Sequence, residues 1–193
     1  MKKVGLYFGT FNPVHNGHVA LGNYFLQHTG LDEVRFIVSP QNHFKKELEL
    51  EAAPHRLEMV RLALNEFPNL TLSEVEFSFP QPSYTITTLA YLCEKEPEVR
   101  FVLLMGADNL AFFDRWIEHQ KILSLVDLYV YPREHKNEIP TPYLDHPKIH
   151  FVNAPKLDYT ATSIRKILRQ GKDVKSLLPL SIVDYIENNT LYQ

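Results

Sequence analysis

The sequence predicts an α/β fold: a doubly wound, mainly parallel sheet of Rossmann-like form, with short helices toward the end of the chain. Three observations carry that expectation. Short continuous apolar runs, of the kind that form strands covered on both faces, recur along the chain. Helix-like stretches separate them almost from end to end. No internal repeat or low-complexity tract interrupts the alternation.

The elements follow in order. Val4 to Gly9 reads as a buried strand, and a helix follows with Leu21, Tyr24, Phe25 and His28 on one face and Gly30 ending it. Val34 to Val38 is the next strand, closed by Ser39-Pro40. Pro54 opens a helix in which Leu57, Val60, Arg61 and Leu64 recur at helical spacing. Leu70 to Leu72 is a short third strand. Tyr84 to Glu94 is helical, with Ile86, Leu89, Ala90 and Cys93 inward. Val99 to Met105 is the strongest strand signal, Trp116 to Leu123 is helical, and Leu128 to Tyr131 and Ile149 to Val152 complete the sheet. Two short helices, Ile164 to Gln170 and Ser181 to Asn188, come last. Right-handed crossovers between such strands put ligands outside their carboxyl ends, so the residues just after each strand carry the information about function.

The totals exclude several classes. A chain of 193 residues with 45% hydrophobic and 22% charged residues suits one globular domain spanning 1–193. Lys and Arg number 20 against 23 acidic residues, a net charge of -3, so the basic surplus of a duplex nucleic-acid binder is missing. Cys93 is the one cysteine, which excludes an intramolecular disulfide and a thiolate metal cluster; a buried structural thiol is expected. No signal peptide is legible at the start, and no apolar run approaches the roughly 20 residues of a membrane span. The expectation is a cytoplasmic protein with no membrane partner.

The first strand runs straight into Gly9-Thr10-Phe11-Asn12-Pro13, then His15-Asn16-Gly17-His18. Gly9 permits close approach of backbone to a ligand, Pro13 stiffens the turn, and Asn16 is the expected helix cap. Free backbone N–H groups at that helix entrance suit a phosphate, and two histidines three residues apart face the same ligand. There is no Gly-x-Gly-x-x-Gly and no Gly-Lys-Ser/Thr P-loop. A zinc site on the histidines lacks a third ligand at the usual spacing.

The run Thr10 to His18 resembles the His-x-Gly-His signature of the Rossmann-like nucleotidyltransferases, whose pattern is close to Gly-Thr-Phe-Asp-Pro-x-His-x-Gly-His. Asn12 stands where aspartate is commoner. Tyr159-Thr160-Ala161-Thr162-Ser163-Ile164-Arg165 resembles the second signature, Ile-Ser-Ser/Ala-Thr-x-Ile-Arg, with Tyr159 and Thr160 departing from it. Locally, Thr162 is expected to cap a helix ended by Gly171, and Arg165 adds a cationic fork. The resemblance implies that His15, His18 and Arg165 are catalytic, stabilising charge on the transferred phosphorus, and that Gly9, Thr10, Phe11, Asn12, Gly17, Thr162, Ser163 and Ile164 bind ATP. Residues 155–193 would then form a helical part that completes the ATP site.

Pro82-Ser83-Tyr84-Thr85-Ile86-Thr87-Thr88-Leu89, and Gly106-Ala107-Asp108-Asn109 with Trp116 ten positions after Gly106, are similar to elements of the bacterial nicotinate-nucleotide adenylyltransferases. The resemblance runs from Lys3 to about Leu168 in four ordered motifs. It implies ATP and nicotinate mononucleotide as small-molecule substrates. Lys45, Ser83, Tyr84, Thr85, Gly106, Asp108, Trp116 and Arg133 would form the acceptor site. Trp116 would stack on the cationic ring, the Tyr84-Thr85 region would take the carboxylate, and Asp108 the ribose. Lys45 or Lys46 would meet phosphate, with Lys45 preferred. Tyr131-Pro132-Arg133 resembles an Arg-Pro element with its order changed. His55-Arg56-Leu57-Glu58-Met59-Val60 fits the same family as a packing element. Mg²⁺ would arrive with ATP, with no dedicated protein metal site. Nicotinamide mononucleotide or phosphopantetheine as acceptor, and a catalytically silent nucleotide-binding module, remain alternatives, and self-association into a homo-oligomer is left open.

Overall fold

The computed structural model describes residues 1–41, 50–133, 137–156 and 159–193. Six strands form one sheet in the order β3-β2-β1-β4-β5-β6: β1 (Lys2–Gly9), β2 (Glu33–Val38), β3 (Leu70–Ser73), β4 (Val99–Gly106), β5 (Asp127–Tyr131) and β6 (Ile149–Phe151). All five neighbouring pairs are parallel. The chain winds outward from β1 to β3, then returns to lay β4 on the other side of β1. The strand order therefore reverses between β1 and β4, and a crevice opens beyond their carboxyl ends.

The apolar runs explain the layering. Alternate residues of a strand point to opposite faces, so an uninterrupted run serves two cores. Val4, Leu6, Leu103 and Met105 pack with Ile86 and Leu89 of α3 (Thr85–Lys95), Leu110 of α4 (Ala107–Leu110) and Ile122 of α5 (His119–Leu125). Tyr7, Phe36, Val102 and Leu104 pack on the opposite face. There they meet Phe25 of α1 (Asn16–His28), Met59 and Val60 of α2 (Ala53–Leu64), Ile164 of α7 (Ala161–Arg169) and Ile182 of α8 (Leu180–Asn189). A short helix α6 (Thr141–Leu144) precedes β6. Among the described residues no helix is long and apolar enough to cross a membrane.

Gly30 and Gly171 take φ of +65° and +62° just past α1 and α7, the left-handed C-terminal stops expected of them. The expectations for Trp116 and α3 need correction, and α1 and α2 show which residues of their faces are buried. Trp116 lies outside any helix: it follows a 3-10 turn (Phe113–Arg115) with extended backbone, and left-handed Glu118 delays α5 to His119. On α2 the buried positions are Arg56, Met59, Val60, Ala63 and Leu64, while Arg61 is exposed. On α1, His28 is exposed and stacks on Tyr24 with ring centroids 4.1 Å apart. On α3, Thr88 and Leu92 join Ile86 and Leu89 inside, leaving Ala90 and Cys93 only half-buried.

Candidate active site

The loop after β1 is held from below. Phe11 has φ of +46°, and its ring folds under Gly9, where an added Cβ would come within 3.0 Å of it. The ring packs edge-on against Tyr7 and His18, at 5.7 and 5.1 Å. Phe11, Asn12 and Ile164 are buried and shape the loop from beneath. The Asn12 Oδ1 accepts the Tyr192 hydroxyl at 2.8 Å and the Glu51 N–H at 3.2 Å. The Asn12 carbonyl accepts Nη1 of Arg165 at 2.6 Å.

His15, and not Asn16, is the cap of α1. Its backbone N–H donates to Nδ1 of His18 at 3.2 Å, and the two imidazoles stack with centroids 3.6 Å apart. Asn16 is already helical; its N–H donates to the Leu177 carbonyl at 3.0 Å and its Nδ2 to the Ser176 carbonyl at 3.2 Å. Asn16 thus ties the helix start to the C-terminal segment. Burial, then the Arg133 guanidinium, lowers the His15 pKa to about 3. Burial, then His15, then Arg133 hold His18 well below its ordinary value. Both rings are neutral donors at physiological pH.

The histidines open onto a cavity of about 280 Å³ that also exposes Arg133, Lys156, Tyr159 and Thr160. Two cations and two neutral imidazoles on one wall suit a polyphosphate. Thr160, and not Thr162, caps α7. Its Oγ1 accepts the Ser163 N–H at 3.2 Å while Ser163 Oγ accepts the Thr160 N–H at 2.9 Å, a reciprocal capping box. Thr162 is exposed as the second residue of the helix. Arg165 departs from its expected role as a phosphate fork: it is buried, bonds the loop carbonyl, and lines neither described cavity.

A second cavity, about 340 Å³, lies on the other side of Gly9 and Thr10 and brings Ser83, Tyr84, Thr85 and Trp116 together. Tyr84 is the cap of α3, so the N–H of Thr85 starts that helix at the cavity wall. Trp116 leans on Phe113 at 5.5 Å between centroids. Arg133 belongs to the histidine cavity instead of this one, a correction that follows from its place after β5. Its Nε approaches Asp108 Oδ2 at 3.6 Å. Gly106 lets that pair sit close, since a Cβ there would stand 2.3 Å from Asp108 Oδ1 and displace its carboxylate. Asp108 itself lines neither cavity, and Asn109 does so in its stead. Lys45 and Lys46 lie outside the described residues.

Two residues escaped the sequence reading. Glu76 is buried on the second cavity's wall and accepts Thr88 Oγ1 at 2.8 Å; its 3-10 turn (Val75–Ser78) carries no periodic signal. Arg56, expected only to pack, is wholly buried and binds four loop carbonyls: Thr10 at 2.7 Å, Ser39 at 2.8 Å, Pro40 at 3.0 Å and Glu51 at 2.9 Å. An arginine at a core-facing helical position was the available clue.

A basic cavity and an aromatic one flank a single loop at the carboxyl ends of this parallel sheet, and the cytidylyltransferase-like family model, which matches residues 6–167, places the chain among the nucleotidyltransferases. The chain belongs, within that class, to the family of nicotinate-nucleotide adenylyltransferases. The relative from Flavobacterium johnsoniae, named "Probable nicotinate-nucleotide adenylyltransferase", is 40% identical over 99% of both chains. One of the same name from Cytophaga hutchinsonii is 41% identical over 98% of both. Among solved structures, Plasmodium falciparum nicotinic acid mononucleotide adenylyltransferase complexed with NaAD superposes with a TM-score of 0.83 at 23% identity, covering 100% of this chain and 98% of that one. That likeness supports the fold.

Proposed function

We propose that this chain transfers the adenylyl group of ATP to nicotinate mononucleotide, releasing pyrophosphate and forming nicotinate adenine dinucleotide. The carrying observation is the pair of cavities on either side of Gly9 and Thr10, one basic and one aromatic. A phosphate entering from each side would meet at that loop.

The reaction needs little covalent help. An oxygen of the acceptor phosphate attacks the α-phosphorus in line, the new P–O bond forms, and the bond to the bridging oxygen breaks as pyrophosphate leaves. The acceptor is already anionic, so no general base is required. Neutral His18 donates from Nε2 to the charge developing on phosphate oxygens, and Arg133 and Lys156 add positive potential. The start of α3 and the hydroxyls of Ser83 and Thr85 receive the nicotinate carboxylate, and Trp116 stacks on the cationic ring. Mg²⁺ would arrive with ATP as part of the substrate and would supply charge neutralisation on the phosphates. The chain acts as one nucleotidyltransferase domain in the cytoplasm, and residues 155–193 complete its ATP site.

Pyrophosphate release with ATP and Mg²⁺, measured separately with nicotinate mononucleotide, nicotinamide mononucleotide and phosphopantetheine, tests the reading. Fastest release with the nicotinate acceptor is expected. Release with nicotinamide mononucleotide or phosphopantetheine alone would reassign the acceptor, and ATP binding with no release would indicate a silent module.

A further inference from the structure

We propose that Tyr192 is a positioning residue for the triphosphate loop, acting through Oδ1 of Asn12. The inference rests on the reading of Gly9 to His18 as the loop where adenylyl transfer occurs. Tyr192 is 180 residues from Asn12 in sequence, yet its hydroxyl reaches Oδ1 at 2.8 Å in a buried contact.

Three features single out this hydrogen bond. Four non-glycine residues among those described have positive φ, and three of them build this contact: Phe11 at +46°, Thr190 at +55° and Tyr192 at +61°. Such conformations are strained for a residue with a side chain and persist only where surroundings enforce them. Thr190 and Tyr192 turn the segment after α8 back toward the loop, and Phe11 is the loop residue directly before Asn12. The contact also works beside other ties to the same loop: Arg165 on the Asn12 carbonyl, the Glu51 N–H on Oδ1, and Arg56 on the Thr10 carbonyl. Finally, Asn12 is buried and lines neither described cavity, so its effect on chemistry passes through the backbone it holds. That backbone sets where Thr10 and His15 stand.

Tyr192→Phe tests the assignment, because the ring keeps its packing and only the hydroxyl is lost. With the nicotinate acceptor, kcat should fall roughly tenfold while KM for ATP and acceptor stays within about twofold, since a misplaced loop slows reaction more than binding. Asn12→Leu should also lower kcat. Adding Tyr192→Phe to Asn12→Leu should cost nothing further, the signature of two groups acting as one. A Tyr192→Phe enzyme with unchanged kcat, or one that loses its activity again in the Asn12→Leu background, overturns the proposal. So does a Tyr192→Phe chain that circular dichroism finds unfolded at the assay temperature, which would make the hydroxyl structural. Absence of transfer in the unsubstituted protein would instead defeat the functional reading.

Discussion

The backbone N–H of His15 donates to Nδ1 of His18 at 3.2 Å. That bond decides which nitrogen of His18 carries its proton. A ring that accepts at Nδ1 and is neutral must be protonated at Nε2. The cap of α1 thus fixes the tautomer of the residue that meets phosphate.

His18→Ala should therefore lower kcat by roughly 10²–10³, the range for loss of one preorganised donor at developing charge. His18→Gln, whose amide nitrogen can reach the Nε2 position, should retain more turnover than His18→Ala. Steady-state pyrophosphate release measures both. Near-normal turnover in His18→Ala would remove His18 from the mechanism.

The neutral histidines also predict an acid-sensitive fold. His15 sits at about 3 in the folded chain against 6.5 when unperturbed, with burial the main cause and Arg133 second. Both states are neutral above 6.5, and that stability is fully present there. Between 6.5 and about 3 the unfolded chain takes up a proton that the folded chain refuses, so stability is lost as pH falls through that window. The limiting slope is about 1.4 kcal/mol per pH unit for one such group. Urea midpoints should drop from pH 7 to pH 5, and His15→Asn should flatten the decline. An identical pH profile for His15→Asn would refute the attribution.

Arg56 makes the third prediction. Its guanidinium serves four carbonyls from the loops after β1, β2 and before α2. Arg56→Met leaves those acceptors buried and should destabilise the fold by at least about 3 kcal/mol. Arg56→Lys keeps a charge without the planar fork and should fall between. Urea unfolding monitored by tryptophan fluorescence reports on both; a loss of less than 1 kcal/mol, about the worth of one neutral hydrogen bond, would contradict this account.

The sheet and its winding were legible because runs such as Val99 to Met105 admit one reading, a strand buried on both faces. The two signatures were legible because histidine, glycine and proline crowd one loop. The caps were not. Asn16 and Thr162 are standard capping types, yet His15 and Thr160 take those positions, since a cap is decided by where the backbone turns helical. Trp116 was misplaced because its neighbours are helix formers, and only left-handed Glu118 shows the break. Arg165 and Arg133 carry charges that suit phosphate equally; only the fold shows one beneath the loop and the other on the cavity wall. Asn12 was expected to bind ATP; its hold on the loop from beneath was not legible because its partner Tyr192 comes 180 residues later.

That separation has a consequence for the order in which the molecule is made. β1 and the loop after it leave the ribosome before the other strands of the sheet, and β1 can pair with β2 early. Its other edge waits for β4. The loop waits longer still, for Arg165 and then Tyr192. The loop after β1 is therefore made well before it can reach its working shape, and ATP meets a finished site only once α7 and Tyr192 have followed it out.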